Sequence, residues 1–315
     1  MKFKKLVSIG ISEDIIDKRY WDMLSELAEK RVLLPKDSDK VEEELADADG
    51  LLVWFNGADK TLIDKAPNLK YIGALATGVG KIDVAYATNK GIVVTNIPGY
   101  STEAVSELVI AVLLENLRDL SRGKAESKLA RTPESGFSGR EIKGKDFGVV
   151  GLGRIGTRVA ELAKAFGANV YYWSRSSKPD ISDKFKYEEL DQLIAHCDLL
   201  SINLALNSDT EGVLNAERLA AIKDGAIVVN TAPLELIDLN ALNERLSKGT
   251  ITFIFDHTDP DDISDEWLEK LRQHDNCITY PVLGYITNEA RIALQEIFVN
   301  NAKSFLNNSP TNSVK

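Results

Sequence analysis

Glycines 151, 153 and 156 form a G-x-G-x-x-G pattern, Gly151-Leu152-Gly153-Arg154-Ile155-Gly156, directly after the apolar run Phe147–Val150 and at the start of an amphipathic stretch from Arg154 to Phe166. In such a turn the first glycine permits the tight bend, the second lets backbone approach a pyrophosphate, and the third lets helix and strand pack closely. The helix start adds amide donors and a partial positive charge, so the chemistry on offer is binding of a dinucleotide. A glycine-rich structural turn is the competing reading. At the end of the next strand, Val170–Trp173, a site selecting NAD places a carboxylate for the ribose hydroxyls. Here that position is Ser174, and residues 162–179 carry no carboxylate, whereas Lys164, Arg175 and Lys178 are cationic. Ser174, Arg175, Ser176 and Lys178 suit a 2′-phosphate, with hydroxyl donors and a guanidinium fork. NADP is therefore expected over NAD, the alternative being a solvated loop with no say in the choice.

The elements that must position this turn alternate between short β-rich runs and amphipathic helical stretches, the pattern of an α/β protein with parallel sheets covered on both faces. Strand candidates in a first block are Leu6–Ile11, Leu51–Trp54, Tyr71–Leu75 and Ile92–Thr95, with helices over Trp21–Lys30 and Asp83–Asn89. A long helix is expected after Ser101, a suitable N-cap with Glu103 in the first turn. The second block offers Phe147–Val150, Val170–Trp173, Leu199–Asn203, Ala226–Asn230, Ile251–Phe255 and Cys277–Tyr280, enough for one doubly wound sheet of six strands. A final helix over about Asn288–Leu306, followed by the polar run Asn307–Pro310, is expected to return to the first block. The resulting domains are 1–98 with 289–315, and 99–288.

At 315 residues, two domains accord with a usual size of roughly 100–200 residues each. The formal charge of −10 disfavours nucleic acid and anionic membrane as partners over most of the surface. Cys197 and Cys277 stand alone, with no spacing suited to zinc, so no metal is expected and a reducing cytoplasm is the expected compartment. The basic opening Met1–Lys5 precedes an apolar run too short for a signal peptide, and no apolar stretch is long enough to span a membrane.

Two further runs, Gly73-Ala74-Leu75-Ala76-Thr77-Gly78-Val79-Gly80-Lys81-Ile82-Asp83 and Gly91 to Glu107 (GIVVTNIPGYSTEAVSE), join the glycine-rich VVGLGRIG of Val149–Gly156 and Asn230-Thr231-Ala232. Together they resemble the D-isomer-specific 2-hydroxyacid dehydrogenases, over about residues 45–300. The resemblance implies a Rossmann-type cofactor domain inserted in a smaller, discontinuous flavodoxin-like substrate domain, a cleft between them, and a homodimer joined through the cofactor domain. It implies that backbone amides of Thr77, Gly78, Val79 and Gly80 receive a substrate carboxylate, with Gly80-Lys81 in place of the commoner Asp-Asn. Implied cofactor contacts, besides Gly151 to Gly156 with Arg154 and Ile155, are Val105, Asn203, Leu204, Ala205, Thr210, Thr231, Ala232, Pro233, Asp256, Val282 and Gly284. Asp256 is the residue that holds the carboxamide.

Three side chains that serve the chemistry in the family are replaced. The Arg that polarises the carbonyl is Pro233, the His that donates the proton is Val282 in Pro281-Val282-Leu283-Gly284, and the Glu that orients the His is represented by Asp259. General acid catalysis supplies roughly 10²–10⁴-fold and one electrostatic stabiliser on the order of 10²–10³, so ordinary 2-keto acid reduction is not expected. Replacement candidates are Lys81, His257, Tyr100 and Tyr285; their competing readings are an exposed lysine on a polar turn, a histidine on the far face of a strand, and tyrosines that line a pocket. His196 and His274 read as structural or surface residues, and Glu235 makes the neighbourhood less welcoming to anions. The leading expectation is an NAD(P)-dependent oxidoreductase with an altered substrate or mechanism, an iminium or activated double bond being suitable hydride acceptors. The alternatives are a catalytically silent NAD(P)-binding sensor or interaction protein, and a non-redox enzyme that keeps the cofactor as a structural element.

Overall fold

The computed structural model describes residues 1–54, 57–129, 136–181, 183–256 and 265–315. The chain divides into two compact units, Met1–Ser101 with Asn288–Lys315, and Thr102–Thr287. Unit 1 runs β1 (Phe3–Ile9), α1 (Lys18–Glu26), β2 (Ala28–Leu34), α2 (Val41–Leu45), β3 (Gly50–Val53), α3 (Lys60–Asp64), β4 (Tyr71–Ala74), α4 (Val84–Asn89) and β5 (Val93–Thr95). Unit 2 runs α5 (Thr102–Arg118), α6 (Leu120–Lys128), β6 (Asp146–Val150), α7 (Arg154–Ala165), β7 (Asn169–Trp173), β8 (Lys186–Tyr187), α8 (Leu190–His196), β9 (Leu199–Ile202), α9 (Ala216–Ala221), β10 (Ile227–Asn230), α10 (Leu239–Ser247), β11 (Thr252–Phe255), α11 (Asp265–Arg272) and β12 (Cys277–Thr279). The chain then re-enters unit 1 with α12 (Asn288–Leu306) and β13 (Ser313–Val314).

Among the described residues, the sheet of unit 2 has seven strands in the order β12-β11-β10-β9-β6-β7-β8, every pairing parallel. This is the Rossmann order, with a reversal between β6 and β9. The central strands are apolar runs buried along their length because helices cover both faces. Alternation sorts their side chains: Val228 joins the core on one face, and Ile227 and Val229 join the core on the other. On that second face α7 buries Gly156, Val159, Ala160 and Ala163, one helical stripe.

The sheet of unit 1 reads β13-β5-β4-β3-β1-β2, with β13 antiparallel to β5 and the other pairings parallel. Its parallel strands therefore follow the flavodoxin-like order 2-1-3-4-5. Helix starts are fixed locally: Asp59, Asp83, Asn215 and Asp238 each accept from the backbone amide three residues on, at 2.8, 2.9, 3.0 and 3.1 Å. Helix α12 covers one face, packing Phe298, Val299, Ala302 and Leu306 with Phe3, Leu6 and Tyr71. The amide of Asn301, 1% exposed, donates to Asn96 O at 2.7 Å and accepts from Asn312 Nδ2 at 2.8 Å, tying α12 to the edge where β13 meets β5. Asn301→Leu is expected to strand these groups and cost about 1–3 kcal/mol, read as a lower urea midpoint.

Three expectations are corrected. The helix placed over Trp21–Lys30 ends at Glu26, and Ala28–Leu34 is instead the edge strand β2, whose polar, half-exposed residues do not alternate cleanly. Among the described residues unit 2 has seven strands rather than six, because the two-residue β8 adds to β7. The first strand lies over Phe3–Ile9 rather than Leu6–Ile11. Asp119, at φ 51, separates α5 from α6. No helix among the described residues is long and apolar enough to cross a membrane.

Candidate functional site

The strand reversal between β6 and β9 opens a crevice of about 680 Å³ at the carboxyl ends of β6, β7 and β9, the place where open α/β sheets bind ligands. Its floor is the glycine turn. Gly151 has φ +96, and a Cβ there would lie 2.8 Å from Asn203 O, so only glycine fits. A Cβ on Gly156 would lie 1.9 Å from Gly151 O and 3.2 Å from the Val149 side chain. The third glycine thus makes room chiefly for the turn's own carbonyl, and secondarily for the strand. A Cβ on Gly153 would meet nothing within 4 Å, which leaves that face open to a ligand. Gly153 is also the N-cap of α7 and offers no side-chain cap. Among the described residues, no backbone acceptor takes the amides of Arg154, Ile155 and Gly156, so they are available to an anion at the positive end of the helix.

The β7 wall is built from two local bonds. Ser174 Oγ donates to Ser176 O at 2.7 Å, and the amide of Lys178 donates to Tyr172 Oη at 2.8 Å. The Lys178 ammonium bonds to Leu152 O on the floor. Arg175 reaches out of this wall to Asp209 Oδ2 at 3.2 Å, and both groups are exposed. Asp209 belongs to the β9 wall, whose loop is stapled by the buried Thr210. Its hydroxyl donates to Ala205 O at 2.7 Å and accepts from the amide of Asn207 at 2.9 Å, while Asn207 Oδ1 accepts from the amide of Asp209 at 2.9 Å. Asn203 donates to Ser201 O and Oγ, yet its Oδ1 is buried with no partner. Floor, helix start and cationic wall together fit the diphosphate and adenosine half of a dinucleotide.

Further along the sheet, fully buried Asn230 shapes the turn after β10: its Nδ2 donates to Ala232 O at 2.8 Å and its Oδ1 accepts from the amide of Ala232 at 3.3 Å. This turn carries Thr231, Ala232 and the half-buried Pro233, and it runs into a short 3-10 turn in which one oxygen of Glu235 is buried without a partner. Asp256, after β11, accepts from the amide of Leu283 at 2.8 Å and from that of Gly284 at 2.6 Å. The turn Pro281–Gly284 is therefore hung on one carboxylate. A Cβ on Gly284 would lie 2.7 Å from Asp256 Oδ2 and 3.4 Å from Val105, which explains the glycine and brings Val105, Asp256 and Gly284 together. Half-buried Val282 sits on this pinned turn.

In unit 1, Thr77 Oγ1 donates to Ile97 O at 2.9 Å and Asn96 Nδ2 donates to Thr77 O at 2.7 Å, fixing the start of the loop Thr77–Lys81. Its other end is held by the amide of Ala58 donating to Lys81 O at 3.0 Å. Gly57 crosses so closely that a Cβ would lie 2.0 Å from that oxygen. The amides of Gly78, Val79 and Gly80 donate to no described residue, and the exposed Lys81 ammonium has no ion pair among them. Tyr100 packs against the core of unit 1 and Tyr285 is half-buried. His257 and Asp259 lie outside the described residues.

His196 lies edge-on to Tyr171 with Nδ1 2.9 Å from Gln192 O, and His274 Nε2 is 2.8 Å from Asn243 Oδ1, both structural placements. Burial pushes the Cys277 thiol up to about 12 and raises that of Cys197 as well, so neither is a nucleophile near neutral pH. No metal-binding cluster occurs among the described residues. Asp209 is the residue that sequence reading missed. It lies thirty-four positions from Arg175, and the only signal was topological: the loops after β7 and β9 flank the β6 turn.

Comparison with known proteins agrees with this geometry. The family model described as D-isomer specific 2-hydroxyacid dehydrogenase, NAD binding domain, matches residues 110–284. A hydroxypyruvate reductase from Blautia hydrogenotrophica is 32% identical over 286 residues, covering 88% of each chain. The crystal structure of D-lactate dehydrogenase from Aquifex aeolicus, complexed with NAD and lactic acid, superposes with TM-score 0.84 at 27% identity, covering 96% of each chain. An acyclic imino acid reductase in complex with NADPH and D-arginine superposes with TM-score 0.86 at 25% identity, covering 99% of this chain and 100% of that one. The chain belongs to the D-isomer specific 2-hydroxyacid dehydrogenases, a family of NAD-binding oxidoreductases.

Proposed function

We propose that the protein is an NAD(P)H-dependent oxidoreductase whose substrate arrives already protonated, a 2-iminium carboxylate rather than a 2-keto acid. The observation that carries this is the pair of turns after β10 and β12, which hold Pro233 and Val282 where the motif register expects arginine and histidine. Neither side chain polarises a carbonyl or donates a proton. A keto oxygen becomes an alkoxide as hydride adds and needs a proton at that moment, whereas a protonated C=N bond accepts the two electrons and ends as a neutral amine. The bound dinucleotide supplies the hydride. The protein's own part is to hold the diphosphate on the α7 amides and to fix the Pro281–Gly284 turn through Asp256 in unit 2, and the free amides of Gly78–Gly80 with the ammonium of Lys81 offer unit 1 a loop suited to a carboxylate. The imino acid reductase among its structural relatives supports the substrate class.

NADP is proposed as the preferred cofactor, on Ser174, Arg175, Ser176 and Lys178 at the β7 wall. A homodimer is proposed as the assembly: α6 buries none of its residues and exposes Leu120. The test mixes purified protein, NADPH and pyruvate with or without methylamine and follows loss of the reduced nicotinamide. Turnover is expected with the amine and suppressed by about 10² or more without it. Turnover of pyruvate, glyoxylate or hydroxypyruvate alone at enzyme rates sinks the proposal. Nucleotide binding with silence on keto acids, imines and enoates alike favours the sensor or interaction protein. In the same assay Ser174→Asp with Arg175→Ala is expected to move preference toward NADH, and an unchanged ratio rejects the 2′-phosphate assignment.

A further inference from the structure

We propose that Asp209 sets the balance between NADH and NADPH: it supplies, from the β9 wall, the ribose-hydroxyl acceptor that the end of β7 lacks, and it competes with a 2′-phosphate for Arg175. The inference rests on the reading of the crevice as an adenosine site. The end of β7 carries Ser174 and Arg175 and no acid, yet a carboxylate does line this crevice, on the opposite side and 3.2 Å from the Arg175 guanidinium. Both partners stand on stapled turns. Ser174 bonds Ser176 O beneath Arg175, and Asn207 and Thr210 fix the loop beneath Asp209, so the two turns that carry the pair are held in place.

The pair is also easy to open. Its side chains are 79% and 70% exposed, and an ion pair in that setting contributes little. A 2′-phosphate carries roughly −1.5 to −2 charges and three acceptor oxygens, so it displaces the single carboxylate from Arg175. Asp209 is then left beside a like charge and opposes the ligand that Arg175 attracts. With a free 2′-hydroxyl the pair stays closed, Asp209 accepts from the ribose, and Arg175 holds the carboxylate in place. One residue thereby permits NADH and restrains NADPH, which a site with Arg175 alone would not do.

Trp173 lines the same crevice and reports occupancy by fluorescence. Unaltered protein, Asp209→Asn, Arg175→Ala and the double variant are titrated with NADH and NADPH. Asp209→Asn is expected to weaken NADH and tighten NADPH, moving the affinity ratio about tenfold. The gain for NADPH is expected to shrink in the Arg175→Ala background, because the competition for Arg175 is gone and only the like-charge repulsion remains to be relieved. An unchanged ratio with both nucleotides still bound overturns the role of Asp209 and leaves the dinucleotide reading intact. Failure of the unaltered protein to bind either nucleotide overturns both.

Discussion

A chain carrying Pro233→Arg and Val282→His together is expected to reduce glyoxylate with NADPH about 10² to 10³ times faster than the unaltered protein. The returned guanidinium would polarise the carbonyl, worth on the order of 10²–10³, and the returned imidazole would protonate the alkoxide, worth about 10²–10⁴. The lower end is expected because the sequence offers only Asp259 as a counterpart of the orienting glutamate on the proposed reading, and because such groups act as a unit. For the same reason each single substitution should gain less than about tenfold. The backbone is ready for both. Pro233 has φ −53 and ψ 143, values open to arginine, on a turn clamped by Asn230, and position 282 adjoins the two amides held by Asp256. The measurement is kcat/KM for glyoxylate, with fluorescence titration confirming that NADPH still binds. A folded, NADPH-binding double variant with no gain would show that these positions do not serve the reacting carbon, and the imine proposal would lose its support.

Gly156→Ala is expected to lower NADPH affinity by about 10² and to cost about 1–3 kcal/mol of stability, the usual penalty for overfilling a packed site. The added methyl would meet Gly151 O at 1.9 Å, and that oxygen belongs to the turn on which the diphosphate rests. Relief requires the turn and the start of α7 to separate, which misaligns the free amides. Gly153→Ala is the informative partner. Its methyl meets no protein atom within 4 Å, so the stability cost should be confined to about 1 kcal/mol or less, the loss from placing alanine at the N-cap of α7. Binding should still fall, because the methyl occupies space that backbone leaves for the ligand. Thermal unfolding without nucleotide and NADPH titration separate the two effects. Normal melting and normal binding of Gly156→Ala would sink the prediction.

Family, fold class and the dinucleotide turn were legible because their signals are local. The Gly151–Gly156 turn and its flanking strand and helix lie within twenty residues of chain, and the buried strands spell themselves as apolar runs such as Ile227–Val229. What escaped is what depends on the far side of a pairing. The edge strand β2 reads Ala-Glu-Lys-Arg over its first four residues, a helix-like composition, and is a strand because β1 lies beside it. The two-residue β8 and β13 carry too few residues for a pattern and exist through β7 and β5. The two bonds from Asp256 to the 283–284 amides and the pairing of Asp209 with Arg175 were equally invisible, since each joins residues more than twenty-five positions apart.

Helix α12 and strand β13 reach unit 1 only after the whole of Thr102–Thr287 has been laid down. A nascent chain therefore completes its contiguous nucleotide unit while the first unit still lacks the cover over Phe3, Leu6 and Tyr71 and the strand that closes the β5 edge. Until then an open edge and a bare aromatic face are displayed together, the combination most prone to sticking to other chains. The order of synthesis makes the first-born unit the last to mature, because the helix and strand that complete it are the last elements made.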